Sequence, residues 1–189
     1  MFVFIINMNT ISNNNINFSG IKLRNIKVKQ ILPTEGDFVS SLVEFKPDSK
    51  QDLKTLQRVN EIWQNNSFIS NIVNLQSDLT LGRCRKDGYR ILAITTQKEK
   101  FGKLDPNKIL SIVQIKSNID NSAKIEFLEA KKNNKEYKHA GLNIVEGLKE
   151  MYKKLTLFAE NSSLINFYEK CNFISTSKSD PLHMQWQRL

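Results

Sequence analysis

The stretch from Ile125 to Phe173 constrains this chain more than any other. It opens with a short apolar strand, IEFLEA, followed by a lysine-rich turn, KKNNKEYKHAG. An amphipathic helix, LNIVEGLKEMYKK, comes next, then a second strand, LTLFAE, and a second short helix, NSSLINFYEKCNF. Two strands joined through a helix have no hairpin-length connection, which favours a parallel or nearly parallel pair. Ile144, Val145, Leu148, Met151 and Tyr152 form one stripe of the first helix, which would lie against the sheet. Gly147 inside that stripe costs helix propensity, and a close approach to a strand would account for it. At the start of that helix the first N–H groups have no partner within the helix, an arrangement suited to a phosphate.

Two motifs in this stretch carry a family resemblance. Lys138-His139-Ala140-Gly141-Leu142-Asn143 is similar to the Arg/Gln-x-x-Gly-x-Gly/Ala loop of the GNAT superfamily, the acyl-CoA-dependent N-acetyltransferases. Asn161 followed by Phe167-Tyr168-Glu169-Lys170-Cys171-Asn172-Phe173 resembles that family's second signature, a strand end, an Asn, a short helix and Phe-Tyr-Glu-Lys-x-Gly-Phe. The sequence departs from the pattern at Lys138, where the family has Arg or Gln, and at Asn143 and Asn172, where it prefers glycine. Asn is the next choice after glycine for a left-handed residue closing a helix, as Asn172 would be.

Composition adds limits. The 189 residues suggest a single domain over 21–189, with residues 1–20 expected to be a disordered tail. The apolar run Phe2–Ile6 is too short to span a bilayer and lacks the flanks of a secretion signal, and Met8 is an alternative start. Cys84 and Cys171 lie far apart, and with only His139 and His183 beside them zinc-ligand spacing is absent. A reduced, cytoplasmic setting is the default, with no metal and no membrane partner expected. Cys171 reads as a packed thiol. The net charge of +9 comes from lysines spread along the whole chain. No basic cluster is interleaved with aromatics, so specific nucleic-acid binding is not expected.

Elsewhere, alternation over Ile26–Gln30 marks a first strand ending at Pro33. Asp48 or Ser49 caps a helix from about Lys50 to Gln64, with Leu53, Leu56, Val59 and Trp63 as its core stripe. Phe68, Ile69, Ile72 and Val73 suggest a second helix, and Arg83–Gly88 a basic turn. Tyr89–Thr95, Ile109–Ile115 and Lys124–Ala130 read as an antiparallel meander, and His183–Trp186 as a terminal strand. The residues alone give a mixed α/β (α+β) domain with helices on both faces. The resemblance sharpens this to a mainly antiparallel sheet of six to seven strands with a splayed parallel pair at its centre.

The resemblance also implies a chemistry: transfer of an acetyl group from acetyl-CoA to an amine. Whether the chain acts as a monomer or a homodimer is left open by the sequence. The pyrophosphate would lie on the N–H groups from His139 through Ala140, Gly141 and Leu142 to Asn143, with Lys138 adding charge. The pantetheine arm would lie between Phe127–Ala130 and Leu155–Ala159, oriented by Asn161. Tyr168, on one helical face with Leu164 and Cys171, would protonate the thiolate. Glu129 would be the base, or Glu126 if a β-bulge changed which of the two faces inward; a water chain in place of a single carboxylate is the alternative, with Glu129 then an exposed strand charge. Two other classes remain: a noncatalytic acyl-CoA-binding or interaction domain of the same fold, and a basic protein acting at RNA, by binding it or by acetylating an aminoacyl-tRNA. The acceptor is not written in any recognised motif.

Overall fold

The computed structural model describes residues 21–31, 35–46, 49–64, 88–99 and 103–188. The expected tail over 1–20, the second helix at Phe68–Val73 and most of the basic turn at Arg83–Gly88 lie outside these residues. In chain order the elements are β1 (Ile21–Gln30), β2 (Gly36–Phe45), α1 (Lys50–Trp63), β3 (Tyr89–Thr95), β4 (Ile109–Ser117), β5 (Ser122–Ala130), β6 (Tyr137–Lys138), α2 (Ala140–Met151), β7 (Lys154–Phe158), α3 (Ser162–Lys170), β8 (Ile174–Ser175) and β9 (His183–Gln187). A turn of 3-10 helix, Pro106–Lys108, precedes β4.

All nine strands form one sheet, in the order β6-β1-β2-β3-β4-β5-β7-β9-β8. Every neighbouring pair is antiparallel except β5 and β7, which are parallel across the α2 crossover. The expected six to seven strands therefore fall short. Two of the additions, β6 and β8, are edge strands of two residues each. The third, β2, hides from a period-two reading because Ser40, Ser41, Leu42 and Val43 are buried in succession. Covered on both faces, this strand shows no alternation, and the Ser40 hydroxyl is satisfied by the Ile26 carbonyl at 2.8 Å.

Each face of the sheet carries its own core. Leu56 and Val59 of α1 pack on Val43, Ile91, Ala93 and Ile112, with Trp63 against them. Ile144, Val145 and Leu148 of α2, with Tyr168 and Cys171 at α3, cover the opposite face over Val113, Ile115 and Ile125. Ser49 caps α1 by accepting the Asp52 N–H at 3.2 Å. Gly147 faces β1 so closely that a Cβ there would lie 2.5 Å from Ile26 Cδ1, which is the close approach that explains the glycine. The α2 helix stops at Met151, three residues earlier than its sequence pattern suggests. Tyr152 leaves it in extended conformation, and its hydroxyl accepts from Arg90 Nη1 at 2.8 Å and meets Ser117 Oγ at 2.8 Å. Arg90 also grips Glu44 with two hydrogen bonds of 2.8 and 2.7 Å.

The end of α3 follows one stereochemical rule. Asn172 adopts φ 58°, the Phe173 N–H donates to Tyr168 O at 3.0 Å, and the Asn172 N–H donates to Glu169 O at 2.8 Å. These are the two backbone bonds of a Schellman closure, and the accompanying apolar contact is made by the Tyr168 and Phe173 rings, 5.5 Å apart. Asn172→Ala should therefore lower stability by about 1 kcal/mol, read from urea unfolding, while Asn172→Gly should be at least as stable as the parent.

Candidate active site

The parallel pairing of β5 and β7 is short. It runs from Ser122 with Lys154 to Ile125 with Leu157, and β5 then continues alone to Ala130. At the same point the register with β4 slips: Ile115 pairs with Ile125 but Gln114 pairs with Phe127. Glu126 is the extra residue of a β-bulge. Without it, Ile125, Phe127 and Glu129 would share a face. With it, Leu128 and Ala130 join Ile125 on the α2 side, whereas Glu129 lies opposite Ile112 on the α1 side.

On the α2 side a cleft of about 440 Å³ opens where the strands part. Leu128, Ala130 and Lys131 form one wall, His139 to Leu142 the floor, and Leu164 and Phe167 of α3 the far wall. His139, at the head of α2, adopts φ 61° and gives no side-chain cap. The opening N–H groups of the helix are thus left for an acceptor in the cleft, at the positive end of the helix dipole. Ser111 holds this helix start to β4 by donating to the Ala140 carbonyl at 3.0 Å. Gly141 has an ordinary helical backbone, so its role is space. A Cβ there would point between Leu128 Cδ2 at 3.5 Å and Phe167 Cζ at 3.6 Å, into the cleft.

The residues singled out from sequence divide between the cleft and its surroundings. His139, Ala140, Gly141 and Leu142 line it. Asn143 does not, and its N–H is already committed to the His139 carbonyl at 2.9 Å. Lys138 is exposed on β6, paired with Lys29 of β1, and the lysine at the cleft wall is Lys131. Asn161 caps α3, its side chain accepting the Leu164 N–H at 3.0 Å. Tyr168 is buried, edge-on to Phe167 at 4.9 Å, and its hydroxyl makes no hydrogen bond among the described residues. Burial, with Cys171 adding to it, pushes the phenol above its ordinary range, so it remains a proton donor. Cys171 is fully buried and its thiol is pushed up to about 11, again by burial. Leu164, expected to face the sheet with Tyr168, is 36% exposed and faces the cleft instead. Its i,i+3 spacing with Phe167 is the signal that places both on this wall.

The two carboxylates of β5 differ. Glu126 at the bulge is engaged by Lys124 Nζ at 2.9 Å. Among the described residues both oxygens of Glu129 are buried without a hydrogen-bond partner, and burial raises its pKa above the usual carboxylate value, opposed by Lys132. A group raised in the folded state favours folding below its unfolded pKa and loses that contribution as pH rises through the folded value. Glu129→Gln should therefore gain stability relative to the parent as pH rises from about 4 to about 7. Urea midpoints across that range check this, and a constant difference would contradict it.

No family model matches the sequence, and no curated protein matches it. Solved structures do match by shape. One is a protein from Desulfovibrio desulfuricans assigned to the GNAT family of acetyltransferases, 11% identical, with 78% of this chain and 98% of that chain covered at a TM-score of 0.51. Another is AtaTR bound with acetyl-CoA, 12% identical, with 78% and 92% covered at a TM-score of 0.50. The likeness is one of architecture: the chain has the GNAT acetyltransferase fold, as its two motifs lead one to expect.

Proposed function

We propose that this protein is an N-acetyltransferase that takes its acetyl group from acetyl-CoA. The observation that carries the reading is the uncapped start of α2 opening onto a cleft beside the unpaired end of β5. A diphosphate suits the free N–H groups of that helix start, with Lys131 adding positive charge. An extended pantetheine amide chain suits the strand edge that β7 leaves bare, by strand addition. Asn161 at the end of that gap orients the chain.

The two proton-handling groups lie on opposite sides of β5. The Glu129 carboxylate is on the α1 face, and the Tyr168 phenol belongs to the α2-side core. Thioester carbon held in the gap would meet an amine from the Glu129 face. The amine nitrogen forms the new C–N bond, Glu129 accepts the proton it sheds, directly or through water, and the C–S bond breaks. Tyr168 supplies a proton to the departing thiolate. A buried carboxylate without a hydrogen-bond partner also favours an amine or ammonium acceptor, because an N–H donor would offset its desolvation.

Calorimetry with acetyl-CoA tests the first part. Saturable binding is expected, and Gly141→Val should lose it while remaining folded, because the branched side chain fills the space between Leu128 and Phe167. A silent titration at millimolar ligand would contradict the reading. Tyr168→Phe tests the second part once an amine acceptor is found in a panel of small amines, peptides and charged tRNA. Turnover should fall by about two to four powers of ten with acetyl-CoA affinity unchanged. Stability should change by less than about 1 kcal/mol, since the hydroxyl makes no hydrogen bond among the described residues. Undiminished turnover in that variant would remove Tyr168 from the mechanism and separate binding from catalysis.

A further inference from the structure

Lys149, on the last turn of α2, is a buried charge that the proposed mechanism does not use, its side chain only 7% exposed. The ammonium donates to the Cys171 carbonyl at 2.5 Å and to Glu146 Oε1, one turn back on its own helix, at 2.8 Å. The Phe173 and Trp186 rings flank it, their centres 5.9 and 5.4 Å from Nζ. We propose that Lys149 is a positioning residue of the acetyl-CoA cleft: by pinning the end of α3 to α2, it fixes the far wall of the cleft over its floor. This rests on reading the cleft as the acetyl-CoA site.

Placement carries the argument. The floor, His139 to Leu142, belongs to the start of α2, and the wall, Leu164 and Phe167, belongs to α3. Among the described residues, the bond from Lys149 to Cys171 is the only hydrogen bond between α2 and α3 with its caps. It acts directly on the wall, because the Cys171 N–H donates to the Phe167 carbonyl at 3.3 Å. The opposite end of α3 has no such tie to α2. There Asn161 caps its own segment through the Leu164 N–H. Without Lys149, apolar packing alone would set how α3 lies against α2.

The choice of residue points the same way. Burying an ammonium costs free energy, and an apolar side chain between Phe173 and Trp186 would meet no such cost. An apolar side chain could not donate to the Cys171 carbonyl, however, and Lys149 does so while presenting its charge to two rings. Arg188, just past β9, donates to the Lys149 carbonyl, so the same point also ties in the end of the sheet. A wall held before binding spares acetyl-CoA the cost of ordering it.

Calorimetry with acetyl-CoA on the full chain tests the inference and needs no acceptor. Lys149→Met nearly keeps the length and fills the space between the rings, but it cannot donate. It should bind acetyl-CoA about five- to ten-fold more weakly than the parent, the cost of ordering a wall no longer held. Lys149→Arg keeps the charge and the donors and should stay within about two-fold of the parent. Val59→Ala, in the core on the α1 side, should lower the urea midpoint and leave the affinity unchanged, which separates loss of the clamp from loss of stability. Binding by Lys149→Met within about two-fold of the parent would overturn the inference and leave the proposed activity standing. No binding by the parent would overturn both. Should Lys149→Met fail to fold, Glu146→Ala decides, because Glu146 is half-exposed and its loss only loosens the ammonium. That variant should bind about three-fold more weakly, and an affinity equal to the parent's would overturn the inference.

Discussion

The rest of the site depends on β5 and β7 being unable to stay paired. Parallel strands need a crossover, and α2 supplies it, which fixes the helix start beside the end of β5. The extra residue at Glu126 then turns β5 just where the pairing with β7 ends after Ile125 and Leu157. One inserted residue thereby leaves a bare strand edge, puts Leu128 and Ala130 on the cleft side, and sends Glu129 to the other. A gap, an anion-seeking helix end and a desolvated carboxylate follow from the same local irregularity.

The two cores keep this irregularity in place. Ile112 and Val113 are neighbours on β4, yet each is fully buried in a different core. Slipping β5 by one residue to erase the bulge would return Phe127 and Glu129 to the α2 side, among Ile144, Val145 and Leu148. Among those fully buried side chains the carboxylate would be wholly desolvated, where on the α1 side its residue stays half-buried, and that costs more than one unpaired residue in the ladder. The Schellman closure at Asn172 performs the same service for α3, fixing Tyr168 against Phe173 and leaving Leu164 and Phe167 to face the cleft.

Much of this was legible in the chain. The βα crossover, the meander of β3 to β5, the Ser49 cap and the left-handed Asn172 each rest on local chemistry that a sequence displays. Strand β2 was not legible, because a strand buried on both faces loses its period of two. Nor was the substitution of Lys131 for Lys138 at the cleft wall, since adjacent positions in a lysine-rich loop differ only in where the loop turns. The split between Glu126 and Glu129 turns on a one-residue bulge, and a sequence carries no signal for which residue is extra.

The central claim is that acetyl-CoA lies along the bare edge of β5 and on the start of α2. Amide-resolved nuclear magnetic resonance tests it most directly, with acetyl-CoA added stepwise to the labelled chain. Shifts should concentrate at Phe127 to Ala130 and at His139 to Leu142, with α1 and β8 little changed. Shifts confined to other strands, or none at saturating acetyl-CoA, would contradict the account.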